Sequence, residues 1–120
     1  MELAFYQAKN TQEPNMSDFP ISDGTIEKIT CSRTTLLMEF TDWQEKSWEI
    51  TFDDLIAFHG ISAVGAEVCD MCEEPASSLS HEAERLGIDE TGTSYSFTSS
   101  NSGEIIFVVV AGSYSARKLY

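Results

Sequence analysis

The chain has 120 residues, with seven Lys and Arg against twenty Asp and Glu, which gives a net charge of −13. A field of this sign repels phosphate backbones and anionic membranes, so it argues against nucleic-acid and membrane partners and favours cationic ones. Solubility alone is the competing explanation of the charge. The length suits one domain that covers residues 1–120.

The cysteines and the apolar stretches indicate the compartment. Cys31, Cys69 and Cys72 are an odd number, unlike the even disulfide framework of a small secreted domain. The N-terminal residues lack the basic and apolar segments of a secretory signal. The longest apolar stretch, at residues 105–111, is too short to cross a bilayer. These features predict a cytoplasmic protein.

The first part of the chain predicts two strands joined by a loop. Residues 3–7 suit a short strand, and residues 9–23 mix Pro, Asn, Ser and Asp as loops do. Residues 24–32 follow a turn-forming Asp-Gly pair and are rich in β-branched side chains, which predicts a second strand.

Two alternating segments predict a hairpin. Large apolar residues recur at every second position, at Leu36, Met38 and Phe40 and again at Trp48, Ile50 and Phe52, and apart from Leu37 the residues between them are polar. A slip of one residue would turn each apolar set outward, so only even registers are allowed. Three even registers are plausible. One of them places Glu39 directly opposite Glu49, where like charges destabilise the pair, and the other two make these residues diagonal neighbours.

The middle of the chain predicts two more strands and one helix. Residues 56–62 suit a strand bent at Gly60, and the alternation at residues 64–68 suits another. The helix covers residues 76–86: Pro75 fits its first turn, apolar residues recur at helical spacing, and Gly87 ends it.

The end of the chain predicts a second hairpin and a tail. Residues 94–100 and 104–111 flank a Ser-Asn-Ser-Gly turn, and residues 113–120 either extend the strand or form a flexible tail. The predicted fold is therefore α+β, a mainly antiparallel sheet of about six to seven strands with one helix.

Cys69 and Cys72 form a CxxC pair, a motif that is found in redox sites and in zinc sites. Glu67, Asp70 and Glu73 are close in sequence and oppose the thiolate that redox catalysis needs. Zinc needs further ligands, for which the chain offers only the scattered His59 and His81. We therefore expect structural thiols, with no metal and no cofactor, and keep a zinc site as the weaker alternative.

The chain carries no motif of a known enzyme class. There is no phosphate-binding glycine loop, no nucleophile elbow and no zinc-protease motif. The adjacent carboxylates Asp53-Asp54 and Glu73-Glu74 point to opposite faces of a strand, so neither pair builds a shared site. The sequence therefore predicts a non-enzymatic protein.

The order of its segments resembles small bacterial immunity proteins of polymorphic and contact-dependent toxin systems. The likeness covers residues 22–111, through "DGTIEKI", an alternating strand, "FTDWQEKSWEITFDDLIAF" and "YSFTSSNSGEIIFVVVA". It implies a protein that binds one cognate toxin and blocks its active site. Many such toxins are basic nucleases, whose clefts suit an acidic inhibitor, and complementary charge speeds association.

The candidate partner-binding residues form two acidic groups and one tryptophan. Trp43 lies in the predicted turn, where it either folds over the sheet edge or stays exposed as an interface anchor. The acidic group around the first hairpin is Glu39, Asp42, Glu45, Glu49, Asp53 and Asp54. The second acidic group is Glu67, Asp70, Glu73 and Glu74. The remaining alternative is a module that holds a small ligand or another subunit through an apolar pocket in a rolled sheet.

Overall fold

The computed structural model describes residues 5–7, 20–88 and 92–119. These residues form nine strands and one helix. The strands are β1 (Phe5–Gln7), β2 (Gly24–Cys31), β3 (Thr35–Thr41), β4 (Ser47–Asp53), β5 (Ala57–Gly60), β6 (Glu67–Glu74), β7 (Thr93–Ser99), β8 (Ile105–Ala111) and β9 (Ser113–Lys118). The helix α1 spans Ser78–Arg85. The predicted α+β class is confirmed, with more strands than predicted.

All nine strands belong to one antiparallel sheet with the order β1-β9-β4-β3-β2-β6-β7-β8-β5. The ladder between β2 and β6 is short, with the pairs Gly24↔Val68 and Thr25↔Glu67. It divides the sheet into a first half, β1-β9-β4-β3-β2, and a second half, β6-β7-β8-β5.

The sheet is rolled so that its two halves face one another. Three strands separate β4 from β7, so a flat sheet would hold them on the order of 19 Å apart. The rings of Phe52 in β4 and Tyr95 in β7 nevertheless have centroids 5.3 Å apart. Tyr114 of β9 joins them, with its ring centroid 5.2 Å from that of Tyr95. The concave face of the roll is therefore the hydrophobic core.

The first hairpin folds as its alternation predicts. β3 and β4 pair in the register Phe40↔Trp48, Met38↔Ile50 and Leu36↔Phe52, and all six side chains are buried in the core. The same register sets Glu39 opposite Glu49. Burial of one face thus fixes which side of each strand points inward.

The helix is held mainly by its N-terminus. Ser77 is the N-cap residue, and its hydroxyl accepts the backbone N–H of Ser80 while the Ser80 hydroxyl accepts that of Ser77. The hydroxyl of the buried Ser94 in β7 donates to that of Ser77. Because β7 presents Ser94 on its outer face, α1 lies outside the second half, and no residue of the helix is fully buried.

Three predicted boundaries differ from the structure. Pro75 lies two residues before the N-cap and not in the first helical turn, whereas Gly87 does end the helix with φ of +95°. The strand predicted at residues 64–68 begins only at Glu67, because residues 61–66 form a turn in which Gly65 has φ of +92°. The CxxC pair, which follows the predicted strand in sequence, therefore lies inside β6.

Residues 113–118 form a strand, whereas the sequence leaves open an extended strand or a flexible tail. They form β9, which pairs with β1 on one side and β4 on the other. Tyr114 and Ala116 are buried in the core, and this burial holds the strand in place. In the predicted loop at residues 9–23, the structure shows a turn at Ser22 and Asp23; residues 8–19 lie outside the described residues, as do residues 3 and 4 of the first predicted strand.

Candidate functional site

Asp42 closes the turn of the first hairpin and is a structural residue. It is 5% exposed. Its Oδ1 accepts the backbone N–H of Gln44 and of Lys46, both at 2.9 Å, and its Oδ2 accepts the indole N–H of Trp48 at 2.9 Å. Burial and three internal donors occupy the carboxylate, so Asp42 supports the turn, and its contact with a partner stays a prediction.

The tip of the same hairpin projects into solvent. Trp43 is 62% exposed, so the indole does not fold over the sheet edge. Glu45 is exposed as well, and its φ of +66° places it in the left-handed region that favours glycine. Large exposed aromatics beside charged side chains are common anchors of protein interfaces.

A row of four charges crosses the outer face of the first half. The strand registers align Lys28 of β2, Glu39 of β3, Glu49 of β4 and Arg117 of β9. Arg117 forms an ion pair with Glu49. The repulsion between the two glutamates is thus offset by a cation beside each of them, and the row carries no net charge.

Asp53 and Asp54 lie at the opposite end of β4 from the hairpin tip. Six residues separate Ser47 from Asp53, a distance of about 20 Å along a strand. Asp53 is on the outer face, opposite Thr35 and Ser113. Asp54 has φ of +56°. The acidic residues of the first hairpin are therefore spread along a whole strand and do not form one patch.

The second acidic group lies along β6. Glu67, Asp70, Glu73 and Glu74 are all exposed. Asp70 and Glu74 pair with Thr98 and Ser94 and share the outer face with them. Glu73 pairs with Tyr95 and points to the other face of the strand. Three of the four carboxylates therefore share one face of the sheet, since Glu67 also precedes the inward-facing Val68.

The surplus of negative charge lies mainly in the second half. The described residues between 57 and 111, which include β5 to β8 and α1, contain seven Asp and Glu and one Arg, a net charge of −6. The other described residues contain eight acidic and five basic residues, a net charge of −3. Moreover, Arg85 is already paired with Glu82. The field that attracts cations is therefore stronger on the β6 side than around the first hairpin.

The CxxC pair and the two histidines are not gathered at one point. Cys72, Ser96, Val108 and His59 form one row across β6, β7, β8 and β5, so three strand spacings of about 4.8 Å separate the thiol from His59. His81 is on α1. No group of three or more His, Cys, Asp or Glu that could hold a metal ion occurs within residues 5–7, 20–88 and 92–119.

The Cys72 thiol is poorly suited to nucleophilic chemistry. Partial burial raises its pKa, and so do its hydrogen bond to the Asp70 carboxylate and the negative charges of Asp70 and Glu74. A raised pKa lowers the thiolate fraction near neutral pH, and the thiolate is the reactive form. The acidic surroundings thus oppose formation of the thiolate, as the sequence predicts.

Aromatic side chains pack against one another in the interior of the roll. Phe52, Phe97 and Phe107 are fully buried, and the ring centroids of Phe97 and Phe107 are 5.8 Å apart. A cleft of about 80 Å³ lies between α1 and the sheet, lined in part by His81, Glu84 and Val110. Pockets for small ligands usually measure about 300–1,000 Å³. The described cleft is therefore too small to hold such a ligand.

Exposed apolar residues on and beside β5 form a surface that the sequence analysis missed. Phe58 is 43% exposed and Ile61 63% exposed, and β5 is the last strand of the sheet. The only sequence signal is an uncharged stretch between acidic segments, and the sheet order is needed to show that it is an edge.

Comparisons with known proteins assign no relative. No protein-family model, no curated protein and no solved structure matches the chain. Among the described residues, no helix has the length and apolar character needed to span a membrane.

Proposed function

We propose that this chain is an acidic, non-enzymatic binding protein of the cytoplasm that neutralises a basic protein toxin. The observation that carries the proposal is the charge division of the sheet, with net −6 on the described residues between 57 and 111. Exposed carboxylates that share one face can occupy the cationic substrate cleft of a nuclease in place of its phosphates. Complementary potentials also speed association, which favours rapid capture of a lethal partner.

Two further features support a protein partner over nucleic acid or membrane. The exposed Trp43 offers an aromatic anchor at one end of the molecule. The same negative field repels phosphate groups of nucleic acids and lipids. Lys28 and Arg117 balance the charges of Glu39 and Glu49 on the outer face of the first half. We therefore assign the main electrostatic contact to β6 and a lesser one to the first hairpin.

The proposal is tested with two variants that change the net charge equally. Glu67→Lys with Glu74→Lys alters the second half, whereas Glu45→Lys with Asp53→Lys alters the first half. The binding partner is an inactivated toxin domain, which the proposal expects to be encoded immediately upstream of the gene. We expect the β6 variant to lower the association rate constant about ten-fold at low salt, and the hairpin variant to lower it less.

Circular dichroism and urea unfolding of both variants verify that the fold is retained. An effect of the same size in the two variants would show that total charge, and not the β6 face, governs binding. Salt-independent binding to the toxin, or a neighbouring gene that encodes no toxin, would contradict the proposed function itself.

A further inference from the structure

The strand β5 forms one edge of the sheet and offers its backbone to solvent. On one side it pairs with β8, from Ala57↔Val110 to Gly60↔Phe107. On its other side, no strand within residues 5–7, 20–88 and 92–119 pairs with it. Phe58, His59 and Gly60 are exposed, as is Ile61 directly after the strand.

The ladder identifies which backbone groups point outward. The N–H of Ile61 donates to the carbonyl of Ile106 at 2.9 Å, in the register that pairs Gly60 with Phe107. Hydrogen-bonded positions alternate along an antiparallel strand, so the backbone N–H and C=O groups of His59 also point toward β8. The N–H and C=O groups of Phe58 and Gly60 therefore point away from the sheet, where an added strand would bond to them.

This edge is short, with four residues, but it lacks the charges and the proline that keep other edges from pairing. Protected edge strands carry charged side chains, proline or bulges. Residues 57–61 contain no Asp, Glu, Lys, Arg or Pro, and the β5–β8 register has no shift. The exposed side chains of Phe58 and Ile61 would add apolar contacts on either side of an incoming backbone.

The surrounding charge selects the occupant. Asp53 and Asp54 precede β5, and Glu84 shares the small cleft with Ile56, the residue just before the strand. The chain has no Lys or Arg between Lys46 and Arg85. A second copy would bring another net charge of −13 to the same edge, whereas a positively charged segment would be attracted to it.

We propose that the β5 edge receives an extended, positively charged segment of a partner protein as an added strand. Backbone hydrogen bonds to Phe58 and Gly60 hold the segment, and the acidic half of the sheet supplies its charge preference. The positive charge of the partner rests on the proposed function, but the openness of the edge does not. Strand addition thus provides a second contact, separate from the carboxylates of β6.

The probes that test this inference are two short capped peptides with the same apolar pattern. One alternates Lys with Val and the other alternates Glu with Val. We expect the Lys-Val peptide to slow amide hydrogen exchange at Phe58 and Gly60 by about ten-fold or more, because both N–H groups become hydrogen-bonded. The Glu-Val peptide should leave both rates unchanged, and the His59 N–H should exchange slowly throughout.

Three results would overturn the inference. The Lys-Val peptide could leave both amides unaffected at millimolar concentration, or the two peptides could protect them equally. Protection that rises with protein concentration in the absence of peptide would identify a second copy as the occupant. Toxin binding that still responds to the β6 charge reversal would then leave the proposed function intact without this edge.

Variants at Phe58 separate the backbone from the side chain. Phe58→Ala removes the ring and keeps the outward N–H, whereas Phe58→Pro also removes that N–H, which the β8 ladder does not use. We expect the proline variant to bind the Lys-Val peptide about ten-fold more weakly than the alanine variant. Phe58→Lys retains the backbone and should repel the same peptide, which provides a test even if the proline variant does not fold. Equal peptide affinities for the alanine and proline variants, or unchanged affinity for the lysine variant, would contradict the inference.

Discussion

The buried carboxylate of Asp42 accepts the indole N–H of Trp48 at 2.9 Å. The other oxygen of Asp42 binds two backbone N–H groups of the turn. One side chain therefore connects the conformation of the turn to the position of a core tryptophan six residues later.

Replacement of Asp42 by alanine should lower the free energy of unfolding by about 2–4 kcal/mol, because it removes the carboxylate that accepts the buried indole N–H and two turn amides. Urea unfolding of the two proteins measures this difference. Trp48→Phe removes the donor itself, so the loss caused by Asp42→Ala should be smaller in that background. Additive losses in the double variant would show that Asp42 and Trp48 are not coupled.

Glu45 adopts a backbone conformation that glycine adopts without steric cost. Its φ is +66°, so Glu45→Gly should raise the free energy of unfolding by about 0.5–1 kcal/mol. Gln44 occupies the same turn without a left-handed φ, and Gln44→Gly is the matched control, which should lower stability. Thermal and urea unfolding test both variants. A destabilising Glu45→Gly would show that the Glu45 side chain makes a favourable contact that outweighs its backbone strain.

The first hairpin shows how far a sequence pattern can specify structure. Its apolar alternation predicts the buried face correctly because burial of one face permits only even registers. The choice among those registers depends on a turn in which Glu45 takes a conformation usual for glycine. Glu49 is neutralised by Arg117, which is 68 residues away in sequence. The sequence of the hairpin alone therefore predicts only the repulsion between Glu49 and Glu39.

The same limit applies to the last strand and to the candidate site. Ser113–Lys118 is short and ends in two cations, as a solvated tail does, and only its place between β1 and β4 makes it a strand. The role of Asp42 had a local signal, since an aspartate that opens a turn commonly accepts the backbone N–H two residues later. The division of charge between the halves, and the exposed edge at β5, follow from the strand order and could not be derived from composition.

The helix α1 should unfold locally more easily than the strands of the second half. No residue of α1 is fully buried, so its stability relies on the cap at Ser77 and on the hydroxyl of Ser94. Ser77→Ala should cost the helix about 1 kcal/mol, because the cap bond to the Ser80 N–H is lost. Hydrogen exchange of the α1 amides should accelerate while that of β7 stays constant.

A control at Ser78 completes this test, since Ser78 follows the cap and is exposed. Ser78→Ala should leave exchange in the helix unchanged or slow it slightly, because alanine has the higher helix propensity. Equal acceleration of the helix and β7 in Ser77→Ala would mean that α1 unfolds only together with the sheet, contrary to this prediction.

Tyr95 should make the fold sensitive to alkaline pH. Burial raises its pKa to about 12, the charge of Glu73 adds to the rise, and a hydrogen bond with Thr93 opposes it. In the unfolded chain the same phenol ionises near pH 10. Between about pH 10 and pH 12 the unfolded state therefore releases a proton that the folded state retains, and the free energy of unfolding falls by about 1.4 kcal/mol per pH unit.

The wild-type protein should thus lose about 2–3 kcal/mol of stability across this interval through Tyr95 alone, with no contribution from this group below about pH 9. Tyr95→Phe cannot ionise, so the difference in unfolding free energy between the wild type and this variant should shift in favour of the variant by the same amount. Glu73→Gln removes the nearby negative charge and should reduce the loss, because the folded-state pKa moves back toward its ordinary value. Parallel stability curves for the wild type and Tyr95→Phe from pH 9 to pH 12 would show that the folded and unfolded states ionise this phenol alike, and that its burial does not favour the neutral form.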